Sequence, residues 1–589
     1  MGNKTARNHG TPPRRSRVQV DGEIGSSVLL FVIAFVFFIL IANVGPTAVG
    51  VWQDDGIYLC TAMSLAGGTG YRHIEMPTQP LQTKYPILYP AVLAFVFLAA
   101  SQKPNLALLL TPTALAAAAM VLLWLAYLRS ALGAPKKWAV TVGVLSALSL
   151  AIVSLVRFTM SDLVYGALSI AALLALDVKY ASASTDHVRR RWLIVSASLV
   201  GLCALTRSFG LTLAAAVLLS LVLQRRTREA GLTLAVLAVV VAPWWIWQTM
   251  AVSANERLQR SLLEAPELSY LLWLPQSAGQ IVRVAWQNIF RSVFGTGYYE
   301  LALPVQFALG GIAMLSWRTA CLHMICWSAA ILILIGFVST FLSNSAGSRT
   351  IHLYAILYAV LVLVWPFDPA RFLVVWAPFL LYCLIFGLRT FIRAGCRRLS
   401  VEPRQWLADA PAWILFAVLM TFFVTDDIRI ASAAGGRVYM RETLVDTSEI
   451  QDLEQWLSTN TSREDVIASD RPAGLFLAMG RRGHYLWPDS DPYALYYGDD
   501  RVWWSFYSWP GDRETDYVYT QMRHQLAETY AAAQVKYYVE HTGANAQTDA
   551  LARIIAENPT WFELKYSTPK AAYKIYRVKI DSDAASRKI

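Results

Sequence analysis

The sequence predicts a membrane all-α fold, a polytopic helical bundle of about 11 to 13 spans followed by a carboxy-terminal extracytoplasmic α/β domain. Three observations predict it. Of 589 residues, 56% are hydrophobic and 15% charged, with a mean hydropathy of +0.41, whereas soluble chains carry about 25% charged residues. The apolar residues form runs long enough to cross a hydrocarbon core roughly 30 Å thick. The basic residues cluster between those runs, which is the positive-inside pattern.

The first run covers 27–48 and holds no charge. Lys4, Arg7, Arg14, Arg15 and Arg17 precede it and no small-residue cleavage pattern follows. It therefore reads as a retained anchor, with 1–26 a cytoplasmic tail. Further runs lie near 105–128, 137–156, 162–178, 230–249, 300–316, 320–342, 351–366, 372–388 and 411–425. The chain is thus a multi-pass protein of the plasma (inner) membrane, its membrane part extending over 27–425. The segment 49–85 lies outside. The stretch 86–100 is short and begins at a proline, which suits a re-entrant or interfacial segment.

Basic groups at Arg189, Arg190 and Arg191, at Arg225, Arg226 and Arg228, and at Arg389, Arg393, Arg397, Arg398 and Arg404 mark inner loops. With the last group inside and the tail outside, the count of runs misses one crossing between 192 and 388. The stretch around Arg207 is the place to look, because it must hold two short helices or one bent helix.

The net charge of +11 does not point to nucleic acid, since no basic stripe interleaved with aromatics occurs in a soluble stretch. The cysteines Cys60, Cys203, Cys321, Cys326, Cys383 and Cys396 are scattered in apolar surroundings, where cysteine packs as a small hydrophobe. Cys321, His323 and Cys326 are neighbours, but a zinc site needs about four ligands. The tail, 426–589, alternates β-like runs at 466–468, 474–479, 535–539 and 573–578 with helical patterns at 449–457 and 521–533, an α/β arrangement. Its aromatic cluster, Tyr485 to Trp509 with Trp503 and Trp504 at its centre, is core, a sugar-stacking surface or a headgroup anchor. Asn460-Thr461-Ser462 has the form of a glycosylation sequon.

The outer segment 49–85 carries the chemistry. It reads Trp52-Gln53-Asp54-Asp55-Gly56-Ile57-Tyr58, then Gly70-Tyr71, then Thr83-Lys84-Tyr85-Pro86. A helix beginning near Asp54 places both acids at its positive end and Tyr58 one turn below Asp54. Taken alone, the pair is either a helix cap with a solvated loop or the acid pair of a site.

The pattern Asp-Asp-x-x-Tyr-x-x-x-Ala, Gly-x-Gly-Tyr and Lys-Tyr-Pro after a first span resembles the first outer loop of the C-type glycosyltransferase superfamily. Its nearest counterpart is the branch of protein O-mannosyltransferases and aminoarabinose lipid A transferases. Arg157-x-x-x-Ser161-Asp162, Leu205-Thr206-Arg207 and Arg371-Phe372 are further, weaker matches. That branch has Asp-Glu where this chain has Asp54-Asp55, which leaves open which carboxylate is the base.

The resemblance implies transfer of a monosaccharide from a polyprenyl-phosphate carrier to a hydroxyl of a protein, lipid or glycan on the outer face, with inversion. Asp54, or second Asp55, would be the general base, and Asp162 a second acid. Lys84, with Arg207, Tyr58 and Tyr85, would meet the carrier phosphate. Lys84 reaching to lipid headgroups and Arg207 capping a short span remain the plain alternatives. No cofactor is implied; a divalent cation on Asp54, Asp55 and Asp162 is possible but not required. Rival classes are a lipid or sugar transporter, which usually carries mid-span acids and repeated halves, and a silent lipid-binding relative.

Overall fold

A computed structural model describes residues 17–43, 53–101, 104–256, 263, 277–294, 316–343, 349–367, 369–399, 405–432, 437–439, 444–486, 511–542 and 546–580. The expected run at 300–316 and the aromatic cluster beyond Tyr485 lie almost wholly outside these residues.

The body is helical. Helix α1 (Arg17–Ala42) begins ten residues before the apolar run. Helix α2 (Gln53–Ala66) starts at the acid pair, and α3 (Leu88–Ala99) forms a hairpin with α4 (Leu106–Ser130). Twelve residues rise about 18 Å, too little to span, and the Tyr89 hydroxyl meets Thr113 Oγ1 at 2.9 Å. The run expected at 137–156 is two helices, α5 (Lys136–Ala147) and α6 (Leu150–Val156). Ser149 breaks them because its hydroxyl accepts from the Ile152 amide as an N-cap.

Helix α7 (Asp162–Leu173) ends in a π-helical turn, Leu174–Tyr180. Around Arg207 the chain makes two helices, α8 (Asp186–Thr206) and α9 (Gly210–Leu223), the first of the two options. Helices α10 (Thr227–Glu256), α11 (Ala278–Phe294), α12 (Ser316–Ser343), α13 (Arg349–Val364), the short α14 (Pro369–Leu373), α15 (Ala377–Arg398) and α16 (Gln405–Ser432) complete the body. Among the described residues, four helical segments are long and apolar enough to cross a membrane: Leu106–Ser130, Asp162–Tyr180, Thr227–Asn255 and Arg371–Arg398. The remaining apolar helices are shorter.

Helices α12 and α15 pack closely. A Cβ added at Gly336 would lie 2.0 Å from the Cys383 carbonyl oxygen, and one at Gly387 would lie 1.8 Å from that of Leu332. Small residues let membrane helices approach this closely, and packing then replaces the hydrophobic drive that lipid removes. Distant basic groups meet at one end of the body: Lys137 Nζ and Arg389 Nε bind the two oxygens of Asp409 at 2.5 and 2.8 Å. This puts Lys137 and Arg389 on one side of the body.

The carboxy-terminal part has a two-stranded ribbon, β1 (Arg437–Tyr439) with β2 (Leu444–Asp446), and a five-stranded sheet ordered β4-β3-β5-β7-β6. Strands β3 (Val466–Ser469), β4 (Gly483–Tyr485) and β5 (Val535–His541) are parallel; β6 (Phe562–Ser567) and β7 (Tyr573–Val578) add an antiparallel hairpin. The period-2 alternation of strands sends Ile467, Val539 and Ile575 to one face, with Leu453 and Leu457 of helix α17 (Thr447–Asn460). It sends Ala468, Tyr538 and Phe562 to the other, with α19 (Gly511–Ala532) and α20 (Ala546–Glu557).

One expectation fails here. Residues 474–479, read as a strand, belong to helix α18 (Pro472–Met479), which has proline in its first turn and Gly480 as a left-handed cap at φ 68°.

Candidate active site

Helix ends converge where α2 begins. Asp54 opens α2, Asp162 opens α7, Arg207 closes α8, and Arg371 sits in the one-turn α14. Their side chains form one ionic network. Arg371 Nη1 donates to Asp54 Oδ2 at 2.5 Å, while its Nη2 and Nε donate to Asp162 Oδ2 at 3.2 and 3.3 Å. Arg207 Nη1 lies 2.5 Å from Asp162 Oδ1. The other Asp54 oxygen, Oδ1, accepts a short hydrogen bond from the Tyr85 hydroxyl. Arg371 thus bridges two carboxylates that lie over a hundred residues apart in sequence.

The network rests on a braced scaffold. The Tyr58 hydroxyl meets Ser161 Oγ at 2.9 Å, and Thr159 donates to the Asp55 carbonyl at 3.2 Å, so the segment before Asp162 is tied to α2. Tyr71 donates to the Tyr85 carbonyl at 3.0 Å. The Gln248 amide donates to the Thr83 carbonyl at 2.8 Å, and Asn255 makes a two-way pair with the Leu81 backbone. Helix α10 therefore fixes the segment carrying Lys84. Tyr358 donates to the Phe372 carbonyl at 2.7 Å. Asn288 Nδ2 gathers the carbonyls of Val362, Leu363 and Trp365 at 2.6–3.0 Å, satisfying the end of α13 just before α14. The Arg207 guanidinium lies 5.3 Å over the Phe372 ring, which stacks on Phe209.

Burial by itself would raise the Asp54 carboxyl. The Arg371 guanidinium, then Lys84 and the Tyr85 hydroxyl, outweigh it and hold the group at about 2. Tyr58 is pushed up to about 12, by burial first and then by the Asp54 charge. Lys84 is buried, with its ammonium 5.3 Å from the Tyr85 ring centroid. Lys84, Arg207 and Arg371 are therefore gathered with the carboxylates of Asp54 and Asp162.

Of the residues singled out from sequence, Asp54 meets Tyr85 and Asp162 meets Arg207, with Arg371 joining the two pairs, and Lys84 acts on Asp54 through its charge. Tyr58 braces the site through Ser161. Asp55 is buried on another face of α2, within electrostatic reach of Cys60 and Tyr89. Arg371 had no assigned role; its only sequence signal is Arg371-Phe372 before a late apolar run. Among the described residues no group of three His, Cys, Asp or Glu side chains is arranged to hold a metal ion.

A helical body with acids gathered at helix ends, followed by a part built on a five-stranded mixed sheet, has counterparts among known folds. The likeness is to solved structures. The Archaeoglobus fulgidus oligosaccharyltransferase in complex with Zn and sulfate matches at TM-score 0.53 and 13% identity over 93% of this chain and 72% of that one. The archaeal oligosaccharyltransferase AglB from Archaeoglobus fulgidus, in complex with an inhibitory peptide and a dolichol-phosphate, matches at TM-score 0.51 and 12% identity over 94% and 74%. ArnT from Cupriavidus metallidurans bound to undecaprenyl phosphate matches at TM-score 0.46 and 12% identity over 94% and 98%. The first two establish the fold. No family model matches the chain, and no curated protein matches it in sequence.

Proposed function

We propose that this membrane protein is a glycosyltransferase that moves a monosaccharide from a polyprenyl-phosphate carrier to an acceptor hydroxyl on the outer face of the plasma membrane. The observation that carries the reading is the ionic network: an ionised carboxylate, Asp54, held together with Lys84, Arg207 and Arg371. Such a site can take a proton from a hydroxyl and neutralise a leaving phosphate at once.

In this reading Asp54 accepts the acceptor's O–H proton as that oxygen attacks the anomeric carbon. The bond from the anomeric carbon to the phosphate oxygen breaks, and its electron pair stays with the lipid phosphate. Lys84, Arg207 and Arg371 stabilise the charge developing there. Attack opposite the leaving group inverts the anomeric centre. Asp162 orients the two arginines. The side-chain cations suffice to neutralise a monophosphate, so no metal step is required.

The test supplies full-length protein in membranes with a radiolabelled polyprenyl-phosphate sugar and a mixture of acceptors. Asp54→Asn should lose about 10²- to 10⁴-fold in transfer, the usual worth of a general base, while Asp55→Asn should lose far less. Undiminished transfer by Asp54→Asn overturns the base assignment. Label that crosses the bilayer without being transferred marks a transporter instead.

A further inference from the structure

Both oxygens of Asp54 are occupied in this structure. Oδ1 takes the Tyr85 hydroxyl and Oδ2 takes Arg371 Nη1. A carboxylate so engaged is a poor proton acceptor, because each charge-assisted hydrogen bond stabilises the ionised form it would have to give up. The groups facing Asp54 are Tyr58 from its own helix, Lys84 and Tyr85 from the segment before α3, and Arg371 from α14; Asp162 and Arg207 act on it through Arg371. Of these, Arg371 also holds a second acid, Asp162. It already shares its guanidinium between two acids, and Asp162 is separately satisfied by Arg207 at 2.5 Å. Arg371 can therefore leave Asp54 without stranding Asp162.

We infer that Arg371 is a two-position catalytic residue: it clamps Asp54 in the empty site and swings onto the donor's phosphate when the carrier arrives, freeing Asp54 to act as base. The inference rests on the carrier-dependent reading above. A phosphate offers a guanidinium the same planar, two-pronged contact that a carboxylate does, with more charge, so an incoming phosphate competes directly with Asp54 for one partner. The exchange makes the order of events chemical. The base is unmasked when the sugar donor is seated, so the site does not carry a free, reactive carboxylate when it is empty. Asp54 and the donor phosphate then bind Arg371 in mutual competition, and that competition is measurable without any transfer reaction.

The experiment is a binding cycle on the full chain in nanodiscs, using a polyprenyl monophosphate as the probe. Dissociation constants are measured for wild type, Asp54→Asn, Arg371→Gln and the double variant, with Arg371→Lys as a second cation variant. Elution profile and thermal midpoint confirm folding in each. Asp54→Asn should bind the probe about tenfold tighter than wild type, the ratio corresponding to ~1.4 kcal/mol, because Arg371 no longer has to be taken from a carboxylate. The same Asp54→Asn change in the Arg371→Gln background should alter binding less than about twofold, well under the ~1.4 kcal/mol of the first comparison.

Equal tightening in both backgrounds would mean that Asp54 merely repels the phosphate, and it would overturn the swing. Unchanged or weaker binding by Asp54→Asn overturns it as well. Absence of probe binding by wild type removes the carrier-dependent reading itself, and the swing with it. Arg371→Lys should retain part of the tightening, since an ammonium can also exchange partners but binds only as a point charge.

Discussion

Asp54 keeps its charge through its partners and not through exposure. Its carboxyl stands at about 2 although burial raises it, because Arg371, Lys84 and Tyr85 each favour the ionised form. Asp55, one position along, rotates about 100° around α2 toward Cys60 and away from the arginines. The sequence left the choice between the two acids open, since spacing along a helix does not say which face meets a partner over three hundred residues away. Tyr85 offers a clean probe of this balance. Tyr85→Phe removes the hydroxyl donor to Oδ1 but leaves Arg371 and Lys84, so the Asp54 carboxyl should move up toward the ordinary value of about 3.9. A raised value means Asp54 is protonated sooner as the pH falls. Transfer by Tyr85→Phe should therefore be within about tenfold of wild type at pH 7, the scale of one hydrogen bond, and fall further behind at a pH of about 3.5, below the ordinary carboxyl value. A deficit of the same size at both pH values would show that Tyr85 does not tune Asp54.

Most of the helices that carry these residues were legible, because each has a local cause. The start of α2 at the acid pair follows from helix polarity, and the break at Arg207 from a run too long for one short helix and charged at its middle. Two elements were misread for equally local reasons. The serine cap at Ser149 divides what looked like one apolar run, and Pro472 with Gly480 turns a β-like string of apolar residues into helix α18. Arg371 was hidden because α14 is a single turn between longer helices, and nothing in its own neighbourhood announces Asp54. Contacts such as α12 on α15 are legible only afterwards, through glycines that could have been ordinary. Gly387→Ala drives a methyl into the Leu332 carbonyl at 1.8 Å, backbone that cannot step aside. It should destabilise by about 1–3 kcal/mol, seen as a lower thermal midpoint in detergent. Gly395 is on the same helix with nothing within 4 Å of an added Cβ. Gly395→Ala should leave the midpoint unchanged or raise it, by up to about 1 kcal/mol of helix propensity. Equal losses in both would make propensity, and not the contact, the cause.

At the scale of the whole molecule, the α/β domain is joined to the segment that carries the site. The Gly483 amide at the start of β4 donates to the Glu75 carbonyl at 3.0 Å, and Phe476 and Leu477 of α18 pack into the hydrophobic core of the helical body. Glu75 in turn holds His73 at 2.7 Å with both side chains fully buried, so β4 braces the loop between α2 and Lys84. His484, next to Gly483 and 2% exposed, makes this brace sensitive to acid. Burial lowers its imidazole to about 4, against which a backbone contact with Ala533 acts only partly. The ordinary value is about 6.5, so between these two the unfolded chain binds the proton and the folded chain resists it. The stability carried by neutral His484 is whole above pH 6.5 and is lost progressively as the pH falls toward 4, to a total of about 3 kcal/mol. Hydrogen exchange on the full chain, corrected for intrinsic rates, should show protection of the Gly483 amide falling between pH 7 and pH 5, with the 70–84 segment loosening alongside it. His484→Gln, which has no proton to gain, should flatten that dependence while leaving the pH 7 protection of the Asp54 end of α2 in place. If the variant keeps the wild-type pH dependence, the acid sensitivity belongs to other groups and β4 is not the element that couples the domain to the loop.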